Sequence, residues 1–206
     1  MSNRKRRLHH ILILLRRVNS FLLLGLCIFF AVMAVLALRS NNQNMVKLRS
    51  AVFEADKNNK DIEQSLKNLR EYVYDHMNTN LASGANAVKP PIQLKYTFDR
   101  LNAANAAAYQ AQTKQVLDDA EATCVAQYPG SVFSQPRSEC AKAYGAAHPV
   151  TQKSIQDDLY KFDFLSPAWS PDQAGWSILA AGFFFMLFVV RVLSSWVIKR
   201  ELESNS

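Results

Sequence analysis

The sequence predicts an all-α protein in which two transmembrane helices flank an extracytoplasmic helical domain carrying a long coiled-coil-like helix. Three observations predict it. Two runs, Val18 to Leu38 and Gln173 to Val190, contain no charged residue. Met45 to Asn80, read at alternating steps of three and four, gives an apolar seam. A stretch from about Thr97 to Gln127 has no Gly or Pro and is crowded with Ala, the residue of highest helix propensity.

Charge distribution excludes one function class early. The net charge of +7 suggests nucleic-acid binding only until it is mapped. Between Ser40 and Gln173 there are 14 Lys and Arg against 15 Asp and Glu. The excess therefore lies at the ends, on Arg4, Lys5, Arg6, Arg7, Arg16, Arg17 and Arg39, and on Arg191, Lys199 and Arg200. That pattern is membrane-flank charge, and no nucleic-acid partner is expected.

Residues 1–17 read as a basic cytoplasmic tail and residues 18–38 as the first span. The 21 uncharged residues rise about 32 Å as a helix, enough to cross a hydrocarbon core. A cleaved signal peptide is the rival reading, because Val35 and Ala37 place small residues before Leu38, but the run exceeds the length of a signal core. The second span is expected over residues 173–198, with Trp176 and Trp196 at its interfaces. Arg191 is expected to snorkel to the cytoplasmic surface. Basic residues flank both spans on the same side, so residues 1–17 and 199–206 are expected in the cytoplasm and residues 39–172 outside it. The expected location is the plasma membrane, with a bacterial cytoplasmic membrane favoured and the lipid bilayer as a partner.

The heptad helix is expected to run unbroken over residues 45–80. Its seam consists of Met45, Leu48, Val52, Ala55, Asn59, Ile62, Leu66, Leu69 and Val73, and continues to His76 and Asn80. Asn59 at an a position either fixes register in a buried interface or sits at a wet edge. Asp56 with Lys60 and Glu63 with Lys67 are four apart and read as pairs along one helix. His76 is expected to be solvated at the top of the coil. A loop from Ala82 to Pro91, carrying the Pro90-Pro91 pair, stops the helix.

The Ala-rich helix then returns over residues 97–127, its apolar stripe weak and drifting. Cys124 and Cys140 are the only cysteines of the outer region, and they flank the turn residues Pro129, Gly130 and Pro136. In an oxidising compartment they are expected to form a disulfide. Short helices are expected within residues 138–164, from Ser138 to Ala146 and from about Thr151 to Phe164. Cys27 reads as a small apolar residue within the first span.

No motif names a reaction. GxSxG, HExxH and GxxxxGK[ST] are absent, and the outer region has no SxxK and no NxS or NxT sequon. Adjacent acids such as Asp118 with Asp119 point about 100° apart on a helix and cannot converge. No catalytic, metal-binding or cofactor-binding residue is assigned, and no cofactor is expected. The plan of two spans around a helical outer domain resembles bacterial chemoreceptors and sensor kinases, and is broadly similar to the basic-tailed coiled-coil anchors of cell-division complexes. Both likenesses are architectural and carry no site residue.

The expected role is that of a non-enzymatic structural or interaction subunit of the cell envelope, a homodimer or part of a hetero-oligomeric complex formed through the heptad helix. The alternative is a ligand-sensing module that signals through a separate cytoplasmic partner. A docking rod presents its seam to another chain; a sensor closes the seam on itself and encloses a pocket.

Overall fold

The computed structural model describes residues 19–82, 88–131 and 134–204. In chain order these form α1 (Ser20–Asn58), α2 (Ile62–Asp75), a short strand β1 (Ile92–Gln93), α3 (Lys95–Gln127), α4 (Gln135–Ala147), a 3₁₀ turn (Asp157–Leu159), strand β2 (Lys161–Phe162) and α5 (Gln173–Ser204). Helix dominates, as the sequence predicts. Two helices, α1 and the Gln173–Arg200 part of α5, are long and apolar enough to cross a membrane. The described residues divide into two compact units, one from residues 19–52, 63–82 and 164–204, the other from residues 53–62, 88–131 and 134–163.

The expected 45–80 helix is corrected. α1 stops at Asn58, and Asn59 and Asp61 take left-handed backbone angles, with φ of 53° and 49°. Asn and Asp tolerate this conformation better than other non-glycine residues, so Asn58-Asn59-Lys60-Asp61 is a turn lying within the heptad register. After α2 the chain is back beside its own first helix. Asn78 Nδ2 donates to the Leu38 carbonyl at 3.2 Å, and Arg49 donates to the Leu81 carbonyl at 3.3 Å. Met45, Val52, Leu69 and Val73 are buried within this one chain. α2 ends five residues earlier than expected because Asn78 is also left-handed (φ 60°), while Thr79 Oγ1 donates to the carbonyls of Val73 and His76 at 3.2 and 2.7 Å.

The two apolar helices meet in the same unit. Phe30 and Phe184 stack with ring centroids 5.6 Å apart, and Ala34, Ala37, Ala174 and Ser177 are buried. Their other faces leave Phe29, Val32, Val35, Phe183, Phe185 and Met186 exposed. Such faces are unfavourable in water at about 25 cal/mol per Å². In lipid they are ordinary.

The second unit is built on α3. Its start at Lys95 has no capping side chain of its own; instead Asp56, near the end of α1, supplies the cap from 40 residues away. Asp56 Oδ2 accepts from Tyr96 N at 3.0 Å and Oδ1 from Thr97 N at 2.8 Å, which satisfies amides of the first helical turn. Arg100 donates to the Asp56 carboxylate at 3.1 Å and to its carbonyl at 3.0 Å. The expected Asp56 to Lys60 pair is thus corrected: Asp56 is 2% exposed and paired with Arg100. Glu63 likewise is not the partner of Lys67, whose carboxylate neighbour is Glu71 at 3.8 Å.

The helix expected from Thr151 to Phe164 is also corrected. Residues 151–156 are irregular, the 3₁₀ turn follows, and β2 pairs antiparallel with β1, matching Ile92 to Phe162 and Gln93 to Lys161. Leu94 N donates to Tyr160 O at 2.8 Å and Phe98 packs on Tyr160 at 4.8 Å, so the segment covers the buried Ile92 and Leu94. The run Tyr160, Phe162, Phe164 alternates at two-residue spacing, a strand period embedded in what reads as a helical face. α4 begins three residues before the expected Ser138, with Pro136 in its first turn, where the missing N–H costs nothing.

Candidate functional site

The most densely bonded polar site of the first unit lies where α1, the chain after α2 and the amino end of α5 meet. Pro167 and Pro171 keep the approach to α5 out of helix, and Asp172 then caps the helix. Its Oδ1 accepts from Gly175 N at 2.9 Å, and its carbonyl accepts from Trp176 N at 3.1 Å. Asn41 Nδ2 donates to the other carboxylate oxygen at 2.6 Å and to the Met77 carbonyl at 3.3 Å. Met77 N donates to Ser170 Oγ at 2.9 Å. Beneath lies an apolar floor of Ala37, Met77 and Ala174, with Leu38 against it. Glycine is required at 175, because a Cβ there would run into the Ser170 carbonyl and crowd the Trp169 indole nitrogen.

Beside this network opens a cleft of about 360 Å³, lined by Tyr74, Asp75, His76, Trp169 and Asp172, with Pro167, Ser170 and Pro171 completing its wall. His76 is half-buried and stacked on Tyr72 at 4.0 Å, with Nδ1 3.0 Å from the Tyr72 carbonyl. The expectation of a solvated histidine at the top of a coil is corrected, since the early end of α2 places His76 in this wall. Burial alone would raise the Asp172 carboxyl. The bonds from Gly175, Asn41 and Ser170, with His76 nearby, outweigh it and hold the group below the ordinary carboxylate range.

Ser170, His76 and Asp172 share the cleft, yet they do not form a nucleophilic relay. Ser170 is 1% exposed, bonds to Asp172 through its side chain and accepts from Met77 N, while His76 Nδ1 faces a carbonyl. A relay requires the imidazole between serine and carboxylate. Among the described residues no group of three His, Cys, Asp or Glu side chains is placed to hold a metal ion.

The residues singled out by sequence fall in several places. Cys124 and Cys140 lie at disulfide distance, with Cα atoms 5.9 Å apart, joining α3 to α4 in the second unit. Arg137, largely buried on α4, meets Glu121 of α3 at 3.6 Å beside them. Of the seam, Met45, Val52, Leu69 and Val73 are buried, Leu48, Ala55, Ile62 and Leu66 are half-buried, and Asn59 is exposed in its turn. Arg4, Lys5, Arg6, Arg7, Arg16 and Arg17 lie outside the described residues. Arg191 is half-buried and donates to Ser195 Oγ one turn on. Lys199 and Arg200 are exposed, with the Arg200 guanidinium 5.3 Å from the Trp196 ring. Cys27 is half-buried in α1.

Sequence reasoning missed Asp56, Asn41 and Asp172, the residues that hold each unit together. A signal was present for one of them: Ser-Pro-Asp before an apolar run is a helix start. The chain matches no known protein family, no curated protein and no solved structure.

Proposed function

We propose that this chain is a two-pass, non-enzymatic membrane protein of the cell envelope whose outer region is a self-contained binding module, coupled to other proteins through its spans or its cytoplasmic ends. One observation carries the choice of a module over a docking rod. The seam that would have sought a second chain is covered by its own, with Val52, Leu69 and Val73 fully buried. The cleft at the junction supplies a place for a ligand, next to the first turn of a candidate span. A change there would bear directly on α5 through Asp172.

The second reading, a structural subunit of an envelope complex, is favoured by the uncovered faces of α1 and α5, which suit partner helices as well as lipid. α3 offers such a complex little: Tyr109, Leu117 and Val125 are exposed but lie about 80° apart from one to the next around the helix.

Two measurements test the proposal. Alkaline carbonate washing of membranes should leave the chain in the pellet; release into the supernatant overturns the membrane reading. Leu66→Cys in a Cys27→Ser background, oxidised in intact membranes, should stay monomeric with its thiol slow to react with a water-soluble maleimide. A discrete dimer or hetero-adduct would transfer the seam to an intermolecular interface and favour the structural subunit.

A further inference from the structure

The cleft beside α5 has an unusual lining for a site so near a candidate membrane surface. It carries two carboxylates, Asp75 and Asp172, against one imidazole, His76, and no lysine or arginine. Two of its walls are aromatic: Tyr74 is 53% and Trp169 is 44% exposed, so both leave surface for a ligand. Tyr74 is held edge-on by Phe164, with centroids 6.3 Å apart, and Trp169 by Trp176 at 6.1 Å, so neither ring is loose. Pro167 and Pro171 stiffen the remaining wall. Among the described residues no hydrogen bond or ion pair engages the Asp75 carboxylate.

A helix amino end usually attracts anions. Here the Asp172 carboxylate already occupies that end, its Oδ1 taking the Gly175 amide. What is left lining the cleft is two carboxylates against one imidazole, beside two part-exposed aromatic rings. With two carboxylates to one imidazole, a phosphate or carboxylate is disfavoured. A cation with an apolar shell would be attracted by both features, since ring faces hold ammonium groups electrostatically and carboxylates complete the charge balance. The volume, about 360 Å³, is that of a small-ligand cleft.

We propose that the cleft lined by Tyr74, Asp75, Trp169 and Asp172 binds an alkylammonium group, presented either on a lipid headgroup or as a free amine. The lipid source rests on the two-pass reading, because only then does the cleft, one residue before α5 begins, stand at headgroup level. The free-amine source does not.

The test uses the full chain. In nanodiscs of equal phosphatidylethanolamine and phosphatidylglycerol, lipid retained by the protein is counted by native mass spectrometry. In parallel, tetramethylammonium and ethanolamine are titrated into protein in phosphatidylglycerol nanodiscs, read by the fluorescence of a Trp196→Phe chain, with Trp169→Leu in the same background as the blank. Retention of the ammonium lipid should exceed that of phosphatidylglycerol by about two- to five-fold, the size expected of an aromatic contact at a partly exposed site. Trp169→Leu and Asp75→Asn should each abolish that excess.

Lipid preference without a saturable response to soluble amines identifies the headgroup as the source. A saturable response without lipid preference identifies a free amine. Equal retention with no saturable response overturns the proposal, as does preferential retention of phosphatidylglycerol or a preference that survives both substitutions. If carbonate strips the chain from membranes, the two-pass reading has failed, and the amine titration repeated in solution still decides the cleft.

Discussion

In the unit that carries the two apolar helices, chain segments meet through amides, a hydroxyl and one capping carboxylate, laid over leucine, valine and methionine side chains. The unit built on α3 and α4 is tied differently, by the buried Asp56 carboxylate with its Arg100 partner and by a cysteine pair. The difference follows from composition. Leucines and valines along the seam supply burial of roughly 1.5–3 kcal/mol each, whereas the Ala-rich α3 buries only Ala120 and Cys124. A helix that brings so little apolar surface needs crosslinks and a cap to fix its place.

The contrast is broken most directly at Asp56. Asp56→Ala removes the carboxylate that Arg100 and two amides of α3 share, leaving Arg100 only the backbone carbonyl and Thr97 Oγ1, and should destabilise the second unit by roughly 3 kcal/mol. That is the low end for a broken buried pair, because the Arg100 side chain is 37% exposed. Hydrogen exchange reads it locally: the amides of Tyr96 and Thr97 should lose protection while those following Asp172 keep theirs. Equal loss in both units would mean that the two do not close independently. Cys140→Ser comes next, with about 3 kcal/mol expected from the closure entropy of the loop between the cysteines. Urea unfolding followed at Tyr144, one turn beyond Cys140, should show the loss; an unchanged midpoint would show that Arg137 and Glu121 suffice.

A smaller effect sharpens the other side of the contrast. The folded Asp172 carboxyl sits below its ordinary value, so its contribution is complete above the unfolded pKa, near 4, and is lost as pH falls through the folded value. The first unit should therefore weaken in acid below about pH 4, and Asp172→Asn should flatten that dependence. Removal of the cap by Asp172→Ala should cost about 1 kcal/mol at neutral pH. A pH profile that Asp172→Asn leaves unchanged would assign the acid sensitivity to other carboxylates.

Both apolar runs and the helical class were legible because each rests on a composition or period sustained over many residues. The ends of α3 were legible to within two residues for the same reason, since Ala propensity acts along the whole segment. Asp56 was not legible, because a cap supplied from 40 residues away leaves no local pattern: beside Lys57 and Lys60 it reads as one more exposed helical charge. The cleft was hidden likewise, since Tyr74 to His76 and Pro167 to Asp172 are brought together only by a reversal that the heptad period conceals. β2 was missed because two residues are too few for a period to outweigh a helical reading of Ile155, Leu159 and Phe162.

That reversal rests on Asn59, where the two readings of the seam make opposite demands. In an unbroken coil Asn59 is a polar residue at an a position, and Asn59→Ile should stabilise the protein while Asn59→Gly destabilises it. In the turn, its φ of 53° makes a β-branched side chain costly by about 1–2 kcal/mol and makes glycine neutral or favourable by a few tenths. The signs are reversed, so the ranking of the two variants in thermal unfolding separates the readings without any absolute scale. Glycine above isoleucine is the order the left-handed turn requires. Isoleucine above glycine would restore the continuous helix, uncover the seam for a second chain, and return the docking rod to first place.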